Sequence, residues 1–205
     1  PTLPSEWTST VYEDEVGWVE ESYTMVGRPT AQNPSAKWTN STDGSCQRLI
    51  YVPNNVDATR YLLGCDAVPC CTEEQDGNHI EYQIPNTHPP LPVSYGGKHT
   101  ITLKQPSGGT TSVEADVWSW KFFFEEYFAY TSGTGDKVTL HQWTVSVQGK
   151  NFTNTYLNYT APTDVAAFAS QFHVPEVCTS SDVPTCSDMH AQGKLSDKSY
   201  KFVKS

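Results

Sequence analysis

Residues 118–130 read WSWKFFFEEYFAY. Trp118, Trp120, Phe122, Phe124, Phe128 and Tyr130 share one parity, and Glu126 is the single non-aromatic member of that row. Successive side chains of a strand point to opposite faces, so one continuous strand would place all seven on one side. A helix would mix these rings with Ser119, Lys121 and Glu125, which argues against it. Fully extended, the stretch spans roughly 40 Å at about 3.3 Å per residue, so the strand is expected to curve over something large and apolar. That is either a packed core or a lined cavity.

Working outward, strands are predicted at 7–13, 16–26, 48–52, 60–63, 79–84, 98–104, 113–130, 137–147 and 152–160. Loops are predicted at 28–45, 53–58, 85–97 and 105–112. In 98–104, His99, Ile101 and Leu103 alternate with Lys98, Thr100, Thr102 and Lys104, the pattern of a strand with one wet face. Leu140 and Trp143 differ in parity, and a bulge near His141–Gln142 would reconcile them. In the last strand Tyr156 and Asn158 share parity, so a glycosylated Asn158 requires either an exposed Tyr156 or a broken strand. One short helix is expected, with Thr163 as N-cap, Asp164 in the first turn, Val165, Phe168, Ala169 and Phe172 on one face, and Pro175 as stop. The fold class is all-β with one short helix. Residues 1–186 read as a single disulfide-stapled domain, and 187–205 as a polar tail or linker.

The chain carries 23 acidic and 13 basic residues, a formal charge of −10. That excludes the basic footprint nucleic acid requires and disfavours anionic membranes. The six cysteines are Cys46, Cys65, Cys70, Cys71, Cys178 and Cys186. Three N-x-S/T sequons begin at Asn40, Asn151 and Asn158. Together they indicate an oxidising secretory route, hence a secreted or lumenal glycoprotein of an extracellular, vacuolar or lysosomal-type compartment, its signal peptide removed. No run is long and apolar enough for a transmembrane segment. Adjacent Cys70 and Cys71 are expected to reach different partners. The simplest arrangement pins the 46–71 region to the segment carrying Cys178 and Cys186. Zinc lacks its ligand spacing.

Catalytic signatures are missing from the sequence. Glu125 and Glu126 are strand neighbours facing opposite ways, whereas a glycosidase pair sits about 5–9 Å apart across one cleft. No G-x-S-x-G elbow occurs, and the thiols are expected to be paired. His79, His88, His99, His141, His173 and His190 are scattered, although 79, 99 and 141 would lie on strands able to converge. Acidic groups at Asp14, Glu20 and Glu21, or Glu73, Glu74 and Asp76, offer oxygens suited to calcium, or a solvated face. No catalytic residue and no cofactor is assigned. Within the aromatic row, Glu126 would either hold a raised pKa, pair with a cation or head group, or be exposed by a bend.

The order of features resembles the ependymin-related secreted glycoproteins, whose fold is similar to the bacterial lipoprotein carrier LolA. It is also similar to a noncatalytic N-terminal domain of some papain-type cysteine proteases. The shared pieces are Trp7-x4-Tyr12, a cysteine region followed by IEYQIPN (80–86), the aromatic strand and VTLHQWTVSV (138–147). They continue with YLNYT (156–160) and F-x2-P-x2-C at Phe172, Pro175 and Cys178. The resemblance implies strongly curved antiparallel sheets nested around an apolar pocket, a hydrophobic or lipid-like ligand, and a possible homodimer. On that basis Trp118, Trp120, Phe122, Phe124 and Phe128 are the expected ligand walls, with Glu126 and Tyr130 orienting the ligand. The alternative is a noncatalytic protein-interaction or adhesion domain, the N-terminal part of a protease precursor, with 195–205 a linker cut short.

Overall fold

The structure, a computed structural model, describes residues 3–13, 16–24, 34–53, 58–75 and 92–204. Eleven strands are present among these residues: β1 (Glu6–Glu13), β2 (Gly17–Thr24), β3 (Ser35–Ser41), β4 (Gln47–Val52), β5 (Ala58–Cys65) and β6 (Val68–Gln75). They continue with β7 (Ser94–Lys104), β8 (Thr110–Phe122), β9 (Glu125–Ser132), β10 (Thr139–Val147) and β11 (Lys150–Thr160). The three short helices are α1 (Val165–Ser170), α2 (Cys186–Ala191) and α3 (Asp197–Lys204). The strands form one sheet in the order β6-β5-β4-β3-β2-β1-β11-β10-β9-β8-β7. The fold is thus mostly antiparallel β as expected. The strand expected at 79–84 lies outside the described residues, as does most of the expected loop 85–97. The chain divides into two compact units, one comprising 1–4, 9–18 and 82–160, the other 5–8, 19–81 and 161–205.

In the first unit, the single strand expected at 113–130 is instead a hairpin. β8 and β9 pair antiparallel, with Trp118 opposite Ala129, Trp120 opposite Tyr127, Lys121 opposite Glu126 and Phe122 opposite Glu125. Paired residues share a face. Trp118 and Trp120 therefore lie with Tyr127 and Ala129, whereas Glu126, Phe128 and Tyr130 lie on the other face with Lys121, Ser119 and Val117. The two-residue turn at Phe123 and Phe124 moves the row from one face to the other. Trp143 pairs with Ala129 and joins the first face. There Trp120 stacks on Tyr127 at 5.5 Å and meets Trp143 edge-on at 5.1 Å, while Tyr95 tilts against Trp118 at 4.8 Å. Such ring contacts are packing, and Trp120 and Trp143 are buried.

The bulge in β10 falls where parity required it. Leu140 pairs with Thr131 and Gln142 with Tyr130, so His141 is the inserted residue. Its Nε2 lies 2.8 Å from the Ser132 hydroxyl. Burial pushes the imidazole pKa below its ordinary value of about 6.5. The unfolded chain therefore takes up this proton more readily than the folded one. The resulting stability is present above the unfolded pKa and is lost as pH falls through it toward the folded value. His141→Gln is expected to lose less stability between neutral and mildly acidic pH than the native chain does, as measured by urea unfolding at each pH. In β11 the tension at the third sequon is resolved by backbone geometry. Asn158 adopts φ +55°, which asparagine tolerates, and is exposed while Tyr156 and Tyr159 are both buried.

The second unit contains two strands where loops or nothing had been expected, β3 and β6. Their ladders are continuous: β3 with β4, β4 with β5 and β5 with β6. One face gathers Ala36, Leu49, Leu63 and Cys70, covered by Phe172 and Cys178, with Phe168 of α1 against them. The other face buries the Glu21–Lys37 ion pair at 3.0 Å and Arg48. The Arg48 guanidinium donates to the Phe202 carbonyl at 2.8 Å and Arg60 to the Val203 carbonyl at 3.0 Å, which seats α3. Residues 187–205 were expected to form a polar tail. Instead the described part, to 204, folds into α2 and α3 and buries Leu195, Ser199, Phe202 and Val203. The predicted helix is α1, capped one residue later than expected: Asp164, not Thr163, accepts from the Ala167 amide at 2.9 Å.

Candidate functional site

The disulfides organise the second unit, and they pair Cys46 with Cys65, Cys70 with Cys178 and Cys71 with Cys186. This is the expected pinning of 46–71 to the C-terminal segment, and strand geometry explains it. Cys70 and Cys71 are successive on β6 and so point to opposite faces. One bond fastens the segment around Phe172 to one face; the other fastens α2 to the opposite face. Between them the chain crosses the outer edge of β6, where the Thr72 amide donates to the Pro184 carbonyl at 2.9 Å and Thr72 bridges Thr185 in parallel. β6 is an edge strand, and this crossing covers it. Pro69 is tolerated there because an edge position can spare an amide.

Where the segment wraps this edge it leaves a cleft of about 690 Å³. Val68, Pro69, Val177, Val183, Pro184 and Met189 supply its apolar lining. Asp66, Asp182, Ser180 and Lys194 are its polar members. Each wall has a local cause. The β5–β6 turn holds both Asp66 and Ala67 at positive φ, +50° and +67°, the pattern of a tight two-residue hairpin that suits Asn-Gly and strains alanine. Val177 sits on the short 3-10 turn Glu176–Cys178, fixed by the Cys70–Cys178 bond. Thr185 caps α2 by accepting from the Asp188 amide at 3.0 Å. Gly193, at φ +69°, ends α2 and turns Lys194 back so that its amide donates to the Met189 carbonyl at 2.9 Å. The Asp66 carboxyl is held below the usual carboxylate range by the Ser199 and Ser196 hydroxyls and the Ser196 amide, so it stays ionised at the rim. Its size and mixed lining fit a small-molecule site, typically about 300–1,000 Å³ and mostly apolar with a few polar groups.

The aromatic row singled out in the sequence does not converge on this cleft. Trp120 is buried, Trp118, Phe128 and Tyr130 are half-buried, and Phe124 stands 92 % exposed at the hairpin tip. Phe122 closes the ladder opposite Glu125, so its backbone belongs to the strand end. Glu126 is not a lone carboxylate among rings: it faces Lys121 across the strand pair at 3.6 Å. Tyr95, Tyr127 and Trp143 complete the ring cluster. The registers of β7, β9 and β10 identify them, whereas parity along one strand did not. Asn151 and Asn158 are exposed and Asn40 is half-buried. Among the candidate calcium oxygens, Glu21 is committed to Lys37 and Glu73 accepts from the Ser187 hydroxyl at 3.1 Å. Asp14, Asp76 and the Glu74 side chain lie outside the described residues. His99 lies 3.1 Å from the Gly96 carbonyl and His141 beside Ser132, each with its own local partner. His79 lies outside the described residues.

Neither a protein-family model nor a curated protein matches this chain.

Proposed function

We propose that this chain is a secreted or lumenal glycoprotein that binds an apolar, lipid-like molecule. The observation that carries the reading is the disulfide-framed cleft beside β6, with its apolar lining and rim of Asp66, Asp182 and Lys194. Burial of a hydrocarbon against Val68, Val177, Val183 and Met189 supplies affinity, and the rim groups orient a polar end. Covalent links rather than the ligand hold the walls, so little ordering is required on binding. Three disulfides, and the absence among described residues of any helix long and apolar enough to cross a membrane, fit the compartment. The resemblance to ependymin-related glycoproteins supports the ligand class, and we prefer the cleft to the aromatic row as its site. In this reading the rings on β8 and β9 pack the sheet.

Val177 lines the cleft and is 50 % exposed, so its replacement is tolerated by the fold. Titration with a spin-labelled fatty acid is expected to show one saturable site on the native chain. Val177→Asp is expected to weaken it about tenfold or more while leaving the melting temperature unchanged. Equal binding by native chain and variant would remove the cleft from the account.

A further inference from the structure

The two most exposed large hydrophobic residues described are neighbours. Phe123 and Phe124 are 84 % and 92 % exposed at the tip of the β8–β9 hairpin. Phe123 also holds φ +52°, a region in which a bulky side chain is strained and which glycine or asparagine enters at little cost. A Gly-Asn turn, with glycine at the positive-φ position, would close this hairpin without either penalty. The turn's backbone therefore does not call for this pair.

Strand registers place other exposed rings at the same end of the sheet. Tyr95, opposite Trp118, opens β7, and Phe152, opposite Val145, lies near the start of β11. They are 55 % and 45 % exposed. Val147 at the end of β10 pairs with Glu125 at the start of β9, so the two hairpin tips are adjacent. The charges around the tip balance. Lys121 and Lys150 stand against Glu125 and Glu126, with Lys121 bridged to Glu126 and the Tyr127 hydroxyl donating to Glu125.

We infer that this tip docks the protein onto a zwitterionic lipid surface, with Phe123 and Phe124 inserted among the acyl-chain ends and the rings behind them at headgroup depth. A convex pair of phenyl rings on a narrow turn suits a soft apolar medium, and tyrosine beside it suits the interface. Local neutrality favours phosphatidylcholine-like headgroups. The chain's overall charge of −10 repels anionic ones and opposes docking onto a second copy. The tip lies in the other unit from the cleft, so this inference stands apart from ligand binding.

The test is flotation of the glycosylated chain with phosphatidylcholine vesicles, alongside vesicles doped with phosphatidylserine. The comparison variant Phe123→Gly/Phe124→Asn places glycine at the positive-φ position and is expected to melt no lower than the native chain. The native chain is expected to float with phosphatidylcholine and less with phosphatidylserine at low salt. The variant's partition is expected to fall about a hundredfold, with fatty-acid binding unchanged. Native chain left unfloated by phosphatidylcholine, equal flotation of the variant, or preference for phosphatidylserine would overturn the inference. A phenylalanine-dependent dimer in sedimentation without lipid would also overturn it, assigning the tip to a second copy.

Discussion

Lys37→Met is expected to destabilise the chain by about 3–5 kcal/mol, a large share of the roughly 5–15 kcal/mol that holds a domain folded. The Lys37 ammonium and Glu21 carboxylate meet at 3.0 Å with side chains 4 % and 0 % exposed. Two ions in such a site offset each other's lost hydration, and removing one withdraws that compensation from the other. The double replacement Glu21→Gln/Lys37→Met removes both charges, and is expected to recover most of the loss. Urea unfolding of the three chains measures this. If the single variant falls by no more than the double, the pair is not acting as a compensated buried ion pair.

Cys70→Ala/Cys178→Ala is expected to cost about 2–5 kcal/mol, because the bond closes a loop of 108 residues whose freedom returns to the unfolded chain. The structural consequence is local as well. Val177 adjoins Cys178, so releasing that bond frees one wall of the cleft while Cys71–Cys186 still holds α2. Fatty-acid binding is therefore expected to be lost under conditions in which the variant is still folded. The Cys46–Cys65 bond closes a loop of only 19 residues, and although Cys65 adjoins Asp66 the β5–β6 ladder still holds that turn, so Cys46→Ala/Cys65→Ala serves as the control: less stable, with binding retained. Thermal unfolding and titration on the same samples separate the two effects.

What could be read from the sequence was whatever depends on neighbours. The bulge at His141 was legible because Leu140 and Trp143 cannot otherwise share a face. The cysteine doublet was legible because a bond between adjacent cysteines would be badly strained, which sends each to a different partner. The β8–β9 turn was not, because Phe123 and Phe124 carry no turn chemistry and aromatic residues occupy both parities beyond them. β3 was hidden by Lys37, a charge inside the core whose partner Glu21 lies on another strand. α3 was hidden because its stability comes from Arg48 and Arg60 reaching its carbonyls, contacts more than 140 residues apart in sequence. The cleft has the same cause: its walls come from the β5–β6 hairpin and from residues 177–194, joined by cross-links and by the Thr72–Pro184 contact.

Native mass spectrometry of protein taken from its natural source, followed by organic extraction, tests the central claim most directly. The account predicts a mass in excess of chain, disulfides and glycans, released on denaturation as an apolar molecule and reduced by Val177→Asp. A mass fully explained by chain, disulfides and glycans, together with no saturable uptake of added fatty acid, would contradict it.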